Sequence, residues 1–244
     1  MKGFTSLVFW PFFFLSQLIA LSLLSWHLAA HFHFAYPLGY QLLGLDKHIS
    51  EYAPLNRNKE DFEYTTSADH WRLFGEITDA VQDSGRGLQN ISYTLANGRT
   101  SGLMHEAEII HLQDVANLID SFYKVGLVFI VIWLLLIPLV VWKKWRLPSS
   151  KKVLTGFVAG LGLMTLVIIL SGPTAVFYWL HEQIFPPGHE WFFFYQDSLM
   201  TTLMKAPDIF AFISAFLLMI LILFWCLAYV GLKRLLNYHL KRMQ

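Results

Sequence analysis

Four long apolar stretches limit most strongly what this chain of 244 residues can fold into. A helix needs about 20 mostly apolar residues to cross roughly 30 Å of hydrocarbon. Stretches of this kind lie at about 7–29, 125–142, 153–180 and 209–232. Hydrophobic residues make up 55% of the chain and charged residues 14%, which excludes an ordinary soluble domain. The sequence therefore predicts an all-α membrane protein with four transmembrane helices, forming one membrane domain over residues 1–244.

The first apolar stretch follows Lys2, as the core of a secretory signal would. Its apolar run is much longer than the roughly 7 to 15 residues of a signal core. The segment His27-Leu28-Ala29-Ala30 also supplies no clear small-residue cleavage site. We therefore expect this stretch to be retained as a transmembrane helix.

Charge divides the connecting segments into two classes. Ten basic residues lie in segments without any acid: Lys2, Lys143, Lys144, Arg146, Lys151, Lys152, Lys233, Arg234, Lys241 and Arg242. The segments at about 30–124 and 181–208 hold all 17 acids and eight basic residues. By the positive-inside rule both termini are expected in the cytoplasm, and both acidic segments outside it. Nucleic acid is not expected as a partner, because the basic clusters lie where they would meet anionic lipid.

Several kinds of chemistry find no support in the sequence. Cys226 is the only cysteine, so a disulfide or a CxxC redox pair is excluded. No Walker loop or dinucleotide fingerprint is present, which argues against ATP-driven transport and nicotinamide chemistry. We expect no cofactor.

The first acidic segment forms a mostly helical insertion between transmembrane helices 1 and 2. Apolar residues recur at helical spacing over 68–95, and Gly85 and Gly87 interrupt them, which predicts two short helices. We expect a loop over 96–102. From Leu103 the chain continues without glycine or proline into the second apolar stretch, so one long helix is expected there.

The start of that long helix reads "HEAEIIHLQDV", and three of its polar residues share one helical face. Glu108, His111 and Asp114 stand three residues apart. They lie where the helix should enter the lipid head-group zone, and ionisable groups are costly there unless they serve a function. We expect a functional role for His111 and treat His105 as a bystander. A solvated face with a simple ion pair is the alternative.

Metal binding is a minority interpretation for two histidine patterns. The Glu108-x-x-His111 spacing occurs in helical di-metal proteins, but those sites need a second such motif and further glutamates. His27, His31 and His33 have a tempting spacing, but His33 leaves the helical face of the other two, and their aromatic neighbours favour an interfacial belt. We expect no metal.

The second acidic segment offers a partner for His111. It belongs to "YWLHEQIFPPGHEWFFFYQDSLMTTLMKAPDIF", in which His181 lies just beyond the third apolar stretch. Interfacial anchoring explains His181 as readily as function does. His189, beside a Pro-Pro-Gly turn, is expected to be exposed, and Asp197 has no evident structural role.

These two motifs together resemble the integral membrane family of the lipoprotein intramolecular transacylase, Lit. The family's pattern falls on Glu108, His111, Asp114, Val115, His181, Phe185, Trp191, Asp197, Leu199 and Pro207. The resemblance covers roughly residues 100 to 215 and the layout of four apolar stretches. Leu112 stands where methionine is common, and residues 31–100 show no clear correspondence.

The resemblance implies acyl transfer on a diacylated lipoprotein in the bacterial cytoplasmic membrane, with membrane lipid as surroundings. The sn-2 acyl chain would move from the diacylglyceryl-cysteine to the α-amine of that cysteine, giving a lyso-form product. His111 would be the base, its imidazole held by Glu108 or Asp114. His181 would protonate the leaving glycerol oxygen or donate to the oxyanion, with Asp197 in support. The sequence leaves open which of the two histidines is the base and which is the acid.

Two other classes of function remain open on the sequence. A non-catalytic membrane module could bind lipid or a partner protein through its first acidic segment. A metal-dependent membrane hydrolase would require His27 or His31 to reach the same cavity as His111. The oligomeric state is not determined by the sequence.

Overall fold

The computed structural model describes residues 3–241, so Lys2 and Arg242 of the basic set lie outside the described residues. The structure is 76% helical. Its helices are α1 (Gly3–His31), α2 (Tyr36–Leu42), α3 (Leu45–Tyr52), α4 (Ser67–Gln82), α5 (Glu106–Trp142), α6 (Ser150–Ser171), α7 (Pro173–Ile184), α8 (Leu199–Met204) and α9 (Asp208–Lys241). Short 3-10 turns lie at His33–Ala35, Ala53–Leu55, Phe62–Tyr64 and Leu88–Asn90.

Four helices within residues 3–241 are long and apolar enough to cross a membrane. They are Leu7–His31, Glu106–Trp142, Ser150–Ser171 and Asp208–His239. The predicted number of such helices is therefore confirmed in length and composition. The single helix expected from Leu103 onward is also confirmed, because α5 runs for 37 residues without interruption.

The third apolar stretch is not one continuous helix over 153–180, as its composition predicts. α6 ends at Ser171, and α7 begins at Pro173. Gly172 between them has a φ of +84°, in the left-handed region that glycine tolerates best. Pro173 suits the first position of a helix because it has no backbone N–H to leave unbonded. The residues on both sides are apolar, so hydropathy does not reveal this break.

A small hairpin replaces the second of the two short helices predicted over 68–95. α4 confirms the first helix, but a 3-10 turn and strand β1 (Ser92–Thr94) follow it. β1 pairs antiparallel with β2 (Thr100–Gly102), and Ser92 lies opposite Gly102. Gly98 in the connection has a φ of +81°. Asn97-Gly98 is a strong hairpin signal, and here it prevails over the helical spacing.

The described residues group into two compact units, and the second unit carries a large apolar core. The second unit comprises Leu21–Leu127 and His189–Phe224. Tyr36 stacks on Phe74 with ring centroids 3.9 Å apart, and its hydroxyl donates to the carbonyl of Leu203 at 2.7 Å. α1 and α5 approach closely at Gly126, where an added Cβ would lie 2.6 Å from the Leu23 side chain. This core fixes the backbone that carries the candidate site.

The first unit has a much smaller apolar core than the second, although it contains long helical segments. It takes in the described residues up to Ala20, Val128–Gly188, and those from Trp225 onward. Its buried hydrophobic cluster consists of Trp10, Phe13, Val140, Leu232 and Leu236. Many large apolar side chains elsewhere in the unit are exposed, and α6 has no buried residue in its described part. This apolar surface is what helices facing lipid would present.

Candidate active site

Glu108 is fully buried at the start of α5, where it joins two helix N-termini. One carboxylate oxygen accepts the backbone N–H of His105 at 2.8 Å, and the other accepts the Ser198 hydroxyl. Ser198 is the N-cap residue of α8. The first N–H groups of a helix have no partner within the helix, so Glu108 satisfies the N–H of His105 directly. The Ser198 hydroxyl, which donates to Glu108, in turn accepts the N–H of Thr201 at the start of α8. Glu108 therefore positions the beginning of α5, one turn before His111.

Asp114 pairs with His189 from the far part of the chain. Its Oδ2 lies 2.6 Å from His189 Nδ1, and the two side chains are 13% and 39% exposed. An ionised carboxylate can only accept, so Nδ1–H donates to it and Nε2 becomes the nitrogen that can take up a proton. The sequence predicts that Glu108 or Asp114 holds the imidazole of His111. The contacts of Glu108 described above and this pair provide no direct support for that assignment, which stays a prediction.

A cavity of about 540 Å³ lies beside this pair, within the size range of ligand pockets. Its walls combine polar groups with consecutive aromatic rings: Asn58, His105, His189, Glu190, Trp191, Phe192, Phe193, Phe194 and Asp197. We call residues 189–197 the cavity wall. His189, expected only to be exposed, is exposed but also lines the cavity and has a carboxylate partner. The one sequence signal for it was Asp114, a carboxylate on the face of His111.

His111 is half-buried on α5 and contacts the same wall through an aromatic ring. The ring centroids of His111 and Phe193 are 5.9 Å apart. Phe193 also approaches the ring of His105, with centroids 5.7 Å apart. The structure thus brings His111 into contact with Phe193, which lines the cavity, and brings His105, treated as a bystander, to the cavity itself.

Asp197 anchors the end of the cavity wall to the segment after α3. Its carboxylate lies 3.3 Å from the guanidinium of Arg57, and its carbonyl accepts from the Asn58 amide at 3.0 Å. The backbone N–H of Arg57 also donates to the carbonyl of Gln196 at 2.8 Å. Asp197 therefore has a structural role that its place in the sequence does not indicate.

His181 lies on α7 and belongs to the first unit, whereas the other four predicted site residues belong to the second. Its Nδ1 is 2.8 Å from the carbonyl oxygen of Phe177, and the two rings are 4.0 Å apart. Because a carbonyl only accepts, Nδ1 carries the proton.

Comparison with known proteins identifies the family. The family model described as lipoprotein intramolecular transacylase Lit matches residues 12–210. The chain belongs to the Lit family. No curated protein and no solved structure matches it significantly. The matched range contains all five predicted site residues, so the resemblance inferred from the motifs is confirmed.

Membership in the Lit family supports a general role in lipoprotein intramolecular transacylation at a bacterial membrane. Acyl transfer, with a lipoprotein as the substrate, is therefore expected of members of this family. Within residues 3–241 no group of three or more His, Cys, Asp or Glu side chains is arranged to hold a metal ion. His27 contacts the Tyr123 hydroxyl at 3.0 Å, and His33 contacts Asp79 at 3.1 Å.

A further histidine of the second unit has a purely structural environment. His70 Nε2 lies 2.7 Å from Thr65 Oγ1, and its Nδ1 lies 2.9 Å from the Tyr40 hydroxyl. Thr65 donates its own proton to the carbonyl of Phe62, so Nε2–H donates to Thr65, and Nδ1 accepts from Tyr40. Burial lowers the pKa of His70 to about 4. His70 is therefore a neutral hydrogen-bonding residue of the core at neutral pH.

Proposed function

We propose that this protein transfers the sn-2 acyl chain of a diacylglyceryl-cysteine to the α-amine of the same cysteine, producing a lyso-form lipoprotein. Family membership supports the reaction class. The observation that supports the finer proposal is the cavity beside α5, where imidazole and carboxylate groups meet an aromatic wall. Such a wall suits a ligand with acyl chains and a polar head.

The reaction forms a nitrogen–carbon bond and breaks a carbon–oxygen bond without a protein nucleophile. The cysteine amine attacks the ester carbonyl, and the glycerol oxygen leaves. In this proposal His111 removes a proton from the attacking nitrogen, and His181 protonates the leaving oxygen. An imidazole suits both steps because it titrates near neutral pH.

Glu108 and Asp197 position other groups of the proposed site. Glu108 fixes the first turn of α5 and with it the backbone of His111. Asp197 holds the wall that carries Phe193, the ring in contact with His111. Amine and ester belong to one anchored molecule, so the protein needs only to orient them. Such orientation can lower a barrier by several kcal/mol.

We further propose that both termini face the cytoplasm and that the cavity faces the opposite side of the bacterial cytoplasmic membrane. The distribution of basic residues supports this orientation, because the described segments 143–152 and 233–241 contain lysine and arginine but no acid. Diacylated lipoproteins are anchored on the extracytoplasmic side, where the cavity would meet them.

The test replaces each proposed catalytic histidine separately in cells that carry a reporter lipoprotein. His111→Ala and His181→Ala should each lower the amount of lyso-form N-terminus about a hundredfold or more, as loss of an acid–base group does. Mass spectrometry of the N-terminal lipopeptide measures this. His31→Ala, an exposed histidine at the end of α1, is the matched control and should leave the product unchanged.

Undiminished product from both variants would contradict the assignment of catalytic histidines. A wild-type chain that forms no lyso-form product in a strain lacking other transacylases would contradict the function itself. Full activity in chelator-treated membranes would argue against a metal-dependent hydrolase.

A further inference from the structure

The proposed reaction releases one proton when the substrate enters as an ammonium ion, and a group at the site can carry that proton to water. An α-amine has a pKa of about 8, so the substrate enters mostly as an ammonium ion at neutral pH. The ammonium and the ester give an amide, an alcohol and one free proton. One of the two protons lost by nitrogen goes to the leaving oxygen. The other must leave the site.

His189 has the environment that such an exit needs. Its side chain lines the cavity, and it is also 39% exposed. The contact with Asp114 at 2.6 Å fixes Nδ1–H as donor, so Nε2 is the atom that takes up a proton. Once protonated, the imidazolium lies beside a carboxylate that is only 13% exposed, and this stabilises the transferred charge.

The other charged groups at this cavity do not oppose a transient positive charge on His189. Glu190 follows it directly in the wall, and Asp197 lies at the end of the wall in a pair with Arg57. His105, from the start of α5, lies 3.4 Å from Glu108. A carboxylate therefore accompanies Arg57 and His105, and the ammonium group of Lys59 donates to the carbonyl of Gly102 at 2.7 Å.

We propose that His189, held by Asp114, accepts the first proton from the substrate ammonium and releases it to bulk water. This inference rests on the proposed function. It assigns to His189 a step that precedes the attack, whereas His111 acts on the nitrogen during the attack and His181 on the leaving oxygen.

The experiment measures transacylation at two pH values. The full-length protein in lipid nanodiscs is given a synthetic diacylglyceryl-cysteinyl peptide, and the N-acylated product is measured by mass spectrometry at pH 7 and pH 9. His189→Gln should be about tenfold slower than wild type at pH 7. At pH 9 the substrate amine is mostly neutral, so the two rates should agree within about twofold.

A partner variant and a matched control complete the design. Asp114→Asn should show the same pH-dependent loss to a smaller extent, because the amide still orients the ring but no longer stabilises the imidazolium. His33→Gln removes a histidine that also contacts an aspartate, Asp79, and is similarly exposed, at 41%. It should match wild type at both pH values. Blanks without protein correct for spontaneous acyl migration in alkali.

A defect of His189→Gln that is equal at pH 7 and pH 9 would indicate a fixed structural role and overturn the inference. So would a wild-type rate at pH 7. In both cases an active wild type leaves the proposed function intact. A wild-type protein that forms no product at either pH overturns the proposed function, and this inference with it.

Discussion

Two regions of the second unit place histidine in opposite environments. In the core, His70 is hydrogen-bonded to Tyr40 and Thr65, and burial lowers its pKa to about 4, so the ring is uncharged at pH 7. At the cavity, His189 faces the carboxylate of Asp114 and is partly exposed. Both rings make short hydrogen bonds through Nδ1, but one accepts from a hydroxyl and the other donates to a carboxylate. The partner of Nδ1 therefore decides which ring nitrogen carries the proton: Nε2 in His70 and Nδ1 in His189.

The same contrast applies to the carboxylates of α5. Glu108 is fully buried and bonded to groups that begin helices, whereas Asp114 lies two turns further on, against an imidazole at the cavity. Their spacing in the sequence places both on one face, but their surroundings differ. Glu108 therefore stabilises the fold, whereas Asp114 is placed to take part in the proposed reaction.

The largest expected effect comes from removing the buried carboxylate. Glu108→Ala leaves the His105 N–H and the Ser198 hydroxyl without their acceptor in a dry interior, and should lower the free energy of unfolding by about 3 kcal/mol or more. Thermal denaturation in detergent measures this. Glu106→Ala, at an exposed position in the same helical turn, is the control and should change stability little. If the two variants were equally stable, the claim that Glu108 stabilises the core, unlike the carboxylate at the cavity, would be wrong.

A second, smaller effect should appear on acidification. The pKa of His70 is about 4 in the folded protein and about 6.5 in the unfolded chain, so the unfolded chain binds more protons between these values. Stability should therefore fall as the pH is lowered from 6.5 to 4, by at most about 1.4 kcal/mol per pH unit from this group.

Melting temperatures between pH 7 and pH 4 check this prediction. His70→Gln should be less stable at pH 7 but should lose less stability on acidification, because its side chain does not titrate. A slope identical to that of wild type would mean that His70 is not the neutral core residue described above.

The smallest expected change in stability concerns the cavity wall. Arg57→Ala removes an ion pair whose guanidinium side chain is 71% exposed, so the free energy of unfolding should change by less than about 0.5 kcal/mol. Transacylation should slow by about two- to tenfold, because the wall that carries Phe193 loses an anchor.

Arg86→Ala is the matched control for this third prediction, since Arg86 pairs with Asp83 at a similarly exposed site away from the cavity. It should leave both stability and rate unchanged. An equal loss of rate in both variants would show that the anchor at Asp197 has no special role.

Local composition accounts for what the sequence predicts well. Apolar runs and charge reveal the four long helices, and the three-residue spacing of Glu108, His111 and Asp114 reveals their shared face. The break at Gly172 is not predicted from hydropathy because the residues on both sides of it are apolar. The hairpin around Asn97-Gly98 is predictable from its two turn residues, which are a stronger signal than the helical spacing before them.

The site is less predictable because its contacts join distant parts of the chain. His189 meets Asp114 across 75 positions, and Ser198 meets Glu108 across 90. No periodicity relates such residues, so the sequence identifies Asp114 as a polar group but not its partner. The burial of Glu108 likewise depends on α8, whose N-cap residue, Ser198, follows Glu108 by 90 positions.

The anchoring of the cavity wall has a consequence for biosynthesis. Arg57 and Asp197 are 140 positions apart, and the wall follows α7 in the chain. A ribosome delivers α1 to α5 to the membrane well before the wall is made, so a nascent chain has no cavity and leaves Glu108 without its Ser198 partner. Products truncated before residue 189 would therefore lack the whole cavity wall and, under the proposed function, would not transfer an acyl chain. Catalytic competence would arise only in the last stage of synthesis.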